Sequence, residues 1–234
     1  MTMKMYDLAG ADPARRFSPY CWRAKLAIAH KGLTVETVAW RFTEKTVLPQ
    51  PNKGIVPVLV DGGKIIADSW VIARHLEEAY PDKPSLFGGE AAVGVTHAFN
   101  AWCDTAVHAT LARLVISDIY DHVAPQDRDY FRTSREARFP GKTLPQVQAT
   151  RDEDVAAFRA VLNPVRAALV DRPFLGGSKP MYADYIVMGC FLWVRGISKF
   201  EPLSADDAVL RGWRERVYTA HKATIDASPG YAWS

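Results

Sequence analysis

The segment Val56-Pro57-Val58-Leu59-Val60, followed by Asp61-Gly62-Gly63 and then Lys64 to Ala67, constrains the fold more than any other. Two short apolar runs joined by a glycine turn read as an antiparallel hairpin, because glycine adopts the left-handed backbone of such a turn without steric cost. Upstream, Lys4 to Leu8 and Val35 to Trp40 read as strands. Between them Ser18-Pro19 opens a helical pattern that places Trp22, Leu26 and His30 on one face and stops at Lys31-Gly32. Two strands reached through a helix form a βαβ unit, which predicts a parallel pair. After the hairpin, Asp68-Ser69 precedes a helix through Trp70, Ile72, Ala73, Leu76 and Tyr80, ended by Pro81. The order is β, α, β, an irregular stretch, β, β, α.

From about Glu90 no strand is convincing, and apolar residues recur at helical spacing near 91–122, 127–138, 150–171, 182–199 and 206–222. Pro81 to Gly89, rich in proline, glycine and charge, reads as a linker, so the expected division is a small α/β domain over 1–82 and an all-helical domain over 90–234. A chain of 234 residues with 48% hydrophobic and 24% charged residues has the composition of an ordinary globular protein. Its net charge of +3 is too small to serve as a footprint for nucleic acid. No apolar run approaches the roughly 18 residues that span a bilayer. Met1 to Gly10 lacks the pattern of a signal peptide, so a soluble, unexported protein without a membrane partner is expected. Cys21, Cys103 and Cys190, odd in number and widely spaced, fit a reducing cytoplasm.

The chemistry begins at Ser18-Pro19-Tyr20-Cys21, where a βα turn aims backbone N–H groups and the positive end of a helix dipole at a ligand. A thiolate bound there could accept a hydrogen bond from the Ser18 hydroxyl. A free thiol of pKa near ~8.5 is about 3% ionised at pH 7, and lowering it by ~2 units requires ~2.7 kcal/mol. One hydrogen bond to a charged group supplies ~1.5–3 kcal/mol and the helix terminus up to ~2 kcal/mol, so two ordinary effects suffice. Read alone, Ser18 is equally a plain N-cap. Pro57 suggests a cis peptide in a tight turn that exposes the Val56 N–H and C=O at a sheet edge, or else a proline at the start of a strand. Asp68-Ser69 supplies a helix start suited to a carboxylate, or simple capping.

This ordered set resembles the glutathione-binding domain of glutathione transferases over residues 4–80, with Asn52-Lys53-Gly54-Ile55-Val56-Pro57-Val58-Leu59 and Asp68-Ser69 at the family's positions. The resemblance implies a thioredoxin-like α/β domain followed by an all-α domain. It also implies glutathione as co-substrate, Ser18 as the group that activates its thiol, Val56 with Pro57 as the partner of the cysteinyl backbone, and Asp68 and Ser69 as the holders of the γ-glutamyl end. A symmetric homodimer is implied as well. The sequence departs from the pattern at Ile55, where many members carry a lysine or glutamine that touches glutathione. A narrower resemblance, to the bacterial β-aryl etherase branch, rests on Phe17 to Leu33, on Asp68-Ser69-Trp70-Val71-Ile72-Ala73, and on Pro125-Gln126-Asp127-Arg128-Asp129-Tyr130 leading into Ser134-Arg135-Glu136. Ala183-Asp184-Tyr185 resembles the family's core-helix capping motif, with Met181 in place of the usual Ser or Thr.

Ser18-Pro19-Tyr20-Cys21 differs by one atom, at its first residue, from a Cys-Pro-Tyr-Cys redox motif, and Cys21, in the place of the second cysteine, is expected to point inward, as are Cys103 and Cys190. Phe99, Trp102, Phe191 and Trp193 could line a cleft for an aromatic electrophile but read better as core residues, and His30, His75, His97, His108, His122 and His221 read as surface or packing residues without metal-ligand spacing. The expected activity is attack of glutathione thiolate on a small electrophile, aromatic or an aryl ether, which then loses an aryloxide. Two alternatives stay open: a thiol-disulfide enzyme using Cys21, and a non-catalytic binder on the same fold.

Overall fold

The computed structural model describes residues 3–52 and 54–233, so Lys53 of the run quoted above lies outside the described residues. Strand β1 (Met3–Leu8) buries Met3 and Met5 and pairs in parallel with β2 (Val35–Trp40) through the crossover helix α1 (Pro19–His30). Strand β3 (Val58–Asp61) runs antiparallel to β1 and turns into β4 (Lys64–Ala67), with Gly62 and Gly63 at φ of 56° and 86°. Both glycines therefore occupy the left-handed region that a tight hairpin demands. The sheet order is β2-β1-β3-β4, and helix α2 (Ser69–Ala79) follows. One expectation changes here. β3 is an inner strand, so Val56 does not lie at a sheet edge; it precedes β3 at the strand's open end.

The helical half comprises α3 (Glu90–Trp102), a π-helical turn over Cys103–His108, α4 (Ala109–His122), α5 (Arg128–Glu136), α6 (Leu144–Gln148), α7 (Arg151–Val161), α8 (Asn163–Ala168), α9 (Tyr182–Ile197), α10 (Ala208–Ala220) and α11 (Lys222–Asp226). The segment expected at 150–171 is broken between Val161 and Asn163, because Pro164 lacks the N–H that would continue the ladder. The π-helical turn interrupts the expected 91–122 helix and shifts the residues beyond it around the axis. Leu86 and Phe87, in the proline-rich stretch after α2, are buried, and Glu77 accepts a hydrogen bond from the Leu86 N–H at 2.9 Å.

Two helices fix the geometry of the molecule. α1 is buried on nearly every side, with α9 and α2 packed against it, which explains why its hydrophobic face is not confined to one stripe. Close approach depends on glycine: a Cβ on Gly189 would stand 2.6 Å from the Pro19 carbonyl oxygen, and one on Gly196 would stand 2.9 Å from Phe17 Cβ. These glycines, two turns apart on α9, seat the residues on either side of Ser18 against that helix.

Asp184 secures the start of α9 although Met181 offers no hydroxyl. Its carboxylate accepts from the N–H groups of Met181 (2.9 Å), Leu175 (2.8 Å) and Gly176 (3.1 Å) and from Trp213 Nε1 (2.7 Å). A fully buried carboxylate with four donors is stabilising only while all are met. Asp184→Ala should therefore lower unfolding free energy by about 3 kcal/mol or more, read from denaturant midpoints. A loss below about 1 kcal/mol would show that the four donors find other partners.

Candidate active site

The N-terminus of α1, the loop before β3 and the helical half meet around a cavity of about 360 Å³. Ser18 is the N-cap of α1: its Oγ accepts from the Cys21 N–H at 3.2 Å, and Pro19 occupies the first turn. Ser18 is 4% exposed yet lines the cavity, and its O–H has the Cys21 thiol beside it as an acceptor. The hydroxyl thus caps the helix with a lone pair, and a ligand anion in the cavity, a stronger acceptor than a neutral thiol, can draw its proton away from Cys21.

Val56 lines the same cavity, and the Val56–Pro57 bond is cis. No hydrogen bond among the described residues engages the Val56 N–H or C=O, which lie beyond the end of β3. Pro57 is buried behind them, and its carbonyl accepts from the Asp68 N–H at 3.2 Å. Asp68 caps α2 by accepting from Trp70 N (2.8 Å) and Val71 N (3.2 Å), at a φ of 87°. A left-handed backbone in a residue other than glycine costs about 1–3 kcal/mol, which these bonds offset. Ser69 is buried, and its carbonyl accepts from Tyr182 Oη at 2.9 Å. Ser18, Pro19 and Val56 therefore share one cavity, whereas Asp68 and Ser69 stand outside its lining, joined to it through Pro57.

The opposite wall is made by residues for which the sequence left packing and cleft lining both open or suggested packing alone. His108, expected as a surface or packing residue, enters the cavity from the π-helical turn and stacks on Trp193 with ring centroids 4.9 Å apart. Trp193, read as core, is 5% exposed and also faces the cavity, while Phe191 is core as expected. Tyr20 lies 5.4 Å from His108, and burial together with the Asp104 carboxylate raises its pKa well above the ordinary tyrosine value. Burial, reinforced by Arg23, Arg138 and Arg135, lowers His108 to about 4. Both side chains are therefore neutral at physiological pH.

The motif around Asp127 also reaches this cavity. Asp127 accepts from Phe42 N (2.9 Å), Thr43 N (3.0 Å) and Thr43 Oγ1 (2.6 Å), clamping the loop after β2 onto the helical half. Beyond it Tyr130, Phe131 and Arg135 line the cavity alongside Phe42. Ile55, the departure noted above, stands at the rim and is 56% exposed.

Cys21 is fully buried, and burial followed by the Asp7 carboxylate pushes its thiol well up. An inaccessible thiol of raised pKa does not suit disulfide exchange, so the structure opposes the redox alternative. A second cavity, about 370 Å³, lies along α1 among Arg16, Lys25, Thr34 and Thr224 and contains none of these groups. Among the described residues there is no cluster of three or more metal-ligating side chains, and no helix is long and apolar enough to cross a membrane.

The pattern of residues matches a family model described as the glutathione S-transferase N-terminal domain over 14–84, and one described as its C-terminal domain over 94–216. The chain belongs to the glutathione S-transferase family. It is 25% identical to glutathione S-transferase U7 of Arabidopsis thaliana over 180 residues, which make up 76% of this chain and 66% of that protein. The chain thus spans just under two thirds of that relative's length. Its fold is that of glutathione transferase GSTFuA3 from Phanerochaete chrysosporium, with a TM-score of 0.82 at 22% identity over 94% of this chain and 97% of that one. It is also that of CsGST63524 of Ceriporiopsis subvermispora, solved in complex with glutathione, with a TM-score of 0.79 at 23% identity over 97% and 98% of the two chains.

The cause of the low His108 pKa sets a pH dependence. The unfolded chain takes up this proton near the ordinary value of 6.5, the native state only near 4. His108 therefore contributes stability above pH 6.5 that is lost as pH falls toward 4. An NMR titration should place the His108 midpoint close to 4, and His108→Gln should flatten part of the acid limb of the stability curve. A midpoint at the ordinary value would show that the ring is hydrated rather than buried.

Proposed function

We propose that this chain binds glutathione and directs its thiolate at an electrophilic carbon of a small aromatic substrate. The observation that carries this reading is that one cavity is lined by a capping hydroxyl at a helix N-terminus and by Val56, whose backbone N–H and C=O have no partner among the described residues. The first suits a sulfur anion, and the second suits the backbone of an extended peptide lying across the open end of β3. Asp68 and Ser69, joined to Val56 through Pro57, take the γ-glutamyl end in this proposal. Domains divided at 1–82 and 90–234 are part of the same reading, supported by the extents of the two family matches.

In the reaction the thiol proton passes to solvent and Ser18 donates to the remaining thiolate. A sulfur lone pair forms the new C–S bond while the carbon's bond to its leaving group breaks, the electron pair departing with that group. Tyr20 and neutral His108 flank the reacting region without competing as anions. The aromatic wall of Phe42, Tyr130 and Trp193 suits an aryl substrate, and the narrower proposal is β-aryl ether cleavage with an aryloxide leaving group. A cytoplasmic homodimer completes the proposal; Val71 on α2 and Val95 on α3, 49% and 73% exposed, offer apolar surface to a second copy.

Ser18→Ala removes one charge-assisted hydrogen bond and should lower turnover about 10- to 100-fold with little change in glutathione KM. Cys21→Ser should keep wild-type turnover. Both are measured with a chloronitroaryl acceptor and a fluorogenic β-aryl ether, with and without glutathione. Equal turnover in Ser18→Ala, or loss in Cys21→Ser, would overturn the assignment, and turnover of the first acceptor alone would reject the etherase reading.

A further inference from the structure

Arg135 is a half-buried cation without a carboxylate. Among the described residues no ion pair includes it or Arg138, although most of the chain's buried cations have one: Arg23 with Asp104, Lys25 with Asp7, Lys31 with Glu77, Arg214 with Glu201. Arg113 and Arg128 also lack a carboxylate but are exposed to water, while half-buried Arg15 and Arg159 lack one and donate instead to backbone carbonyls, Arg15 to Gly196 and Arg159 to Pro202 and Leu203. Arg135 is instead packed between rings, its guanidinium carbon 5.4 Å from the Phe42 centroid and 5.0 Å from that of Phe131. Among the described residues it makes one hydrogen bond, to Ser134 Oγ at 3.0 Å. A guanidinium has five N–H donors in a planar fork, so the remainder suit a bidentate anion.

Arg138 adds a second, exposed guanidinium to the lining of the same cavity. Burial, then repulsion from Arg138, lowers Arg135 to about 10, and the same two charges bear on His108 against Trp193. Their field therefore reaches the helical wall of the cavity. Holding two like charges together in a partly desolvated place is costly unless something negative joins them.

We propose that Arg135, assisted by Arg138, binds an acidic substituent of the second substrate, so that the preferred electrophiles are aromatic compounds bearing a carboxylate. The inference rests on the transferase reading for its chemistry, but binding tests it independently of turnover. Once the carboxylate is seated, its ring lies among Phe42, Tyr130 and Phe131 in the cavity that Ser18 also lines. Arg135 is then a specificity-determining residue.

The test is tryptophan-fluorescence titration of the whole protein with nitrobenzoate and with neutral nitrobenzamide, repeated under saturating S-methylglutathione. Nitrobenzoate should bind about tenfold more tightly than the amide, and the preference should persist when S-methylglutathione is bound. Arg135→Gln should bring the ratio close to one, Arg135→Lys should restore part of it, and the exposed Arg138→Gln should reduce it about threefold. Equal binding of the two probes by the wild type overturns the proposal whatever the variants do. A preference that disappears once S-methylglutathione is bound also overturns it, since the guanidinium would then belong to glutathione's own glycine carboxylate. A ratio unchanged in a folded Arg135→Gln does the same, and should that variant fail to fold, Arg138→Gln and the wild-type titrations decide. Selective nitrobenzoate binding without turnover of any electrophile would support this inference while removing the transferase reading, so the two failures are distinct.

Discussion

Arg23 is the interaction around which the molecule is organised. It lies in the middle of α1, is fully buried, and donates to the Ile186 carbonyl at 3.2 Å and to Asn100 Oδ1 at 3.1 Å, with Asp104 Oδ1 2.8 Å away and the Tyr20 ring beneath it at 4.8 Å. One side chain of the α/β half thereby reaches α3, the π-helical turn and α9 at once. Burying a guanidinium costs several kcal/mol, and only a complete set of partners offsets this. The gain is positional: with Gly189 and Gly196 admitting the chain around Ser18 to the surface of α9, Arg23 fixes how α1 lies on the helical half. The cavity exists because of that seam, with its polar wall from one side and its aromatic wall from the other.

The electrostatics of the cavity run in one direction. The N-terminus of α1 supplies a partial positive charge, Arg135 and Arg138 supply whole ones, and the titratable groups between them are held neutral: His108 by burial and its cationic neighbours, Tyr20 by burial and Asp104. The chain's own thiol nearest this place, Cys21, faces inward and is driven toward its protonated form. An anion that settles here must therefore come with a ligand. This asymmetry separates the site from a redox centre better than any motif does, because a cysteine that resolves disulfides would need the environment that Cys21 lacks.

Much of the α/β half was legible because its signals are local. Gly62-Gly63 dictates its turn, Ser18-Pro19 its helix start, and Val35 to Trp40 lies as a strand at the positions expected. α6 was also within reach, since Thr143 and Gln146 form a capping box whose spacing is visible in the sequence. The helical wall of the cavity was not. His108 faces inward only because a π-helical turn rotates it there, and Trp193 looks the same in sequence whether its ring meets the core or a cavity. The stretch from Pro125 to Glu136 was singled out for its resemblance alone, with no place in the fold assigned to its side chains. That Asp127 clamps the β2 loop and brings Arg135 over Phe42 is a tertiary fact, carried by contacts about 85 residues apart in sequence.

Ser18 shows why competing readings of a residue need not exclude each other. As an N-cap it uses an oxygen lone pair, accepting from the Cys21 N–H; as a partner for a thiolate it uses its proton. The cap improves the second role, for the bond to Cys21 N holds Oγ in one place while the O–H can rotate from the Cys21 thiol toward a ligand. The same economy appears at Asp68, whose carboxylate caps α2 while its N–H binds the Pro57 carbonyl and so ties α2 to the turn carrying Val56. Capping residues at the ends of α1 and α2 thus serve folding and ligand placement through different atoms, which is why substitution at either should be judged by turnover as well as by stability.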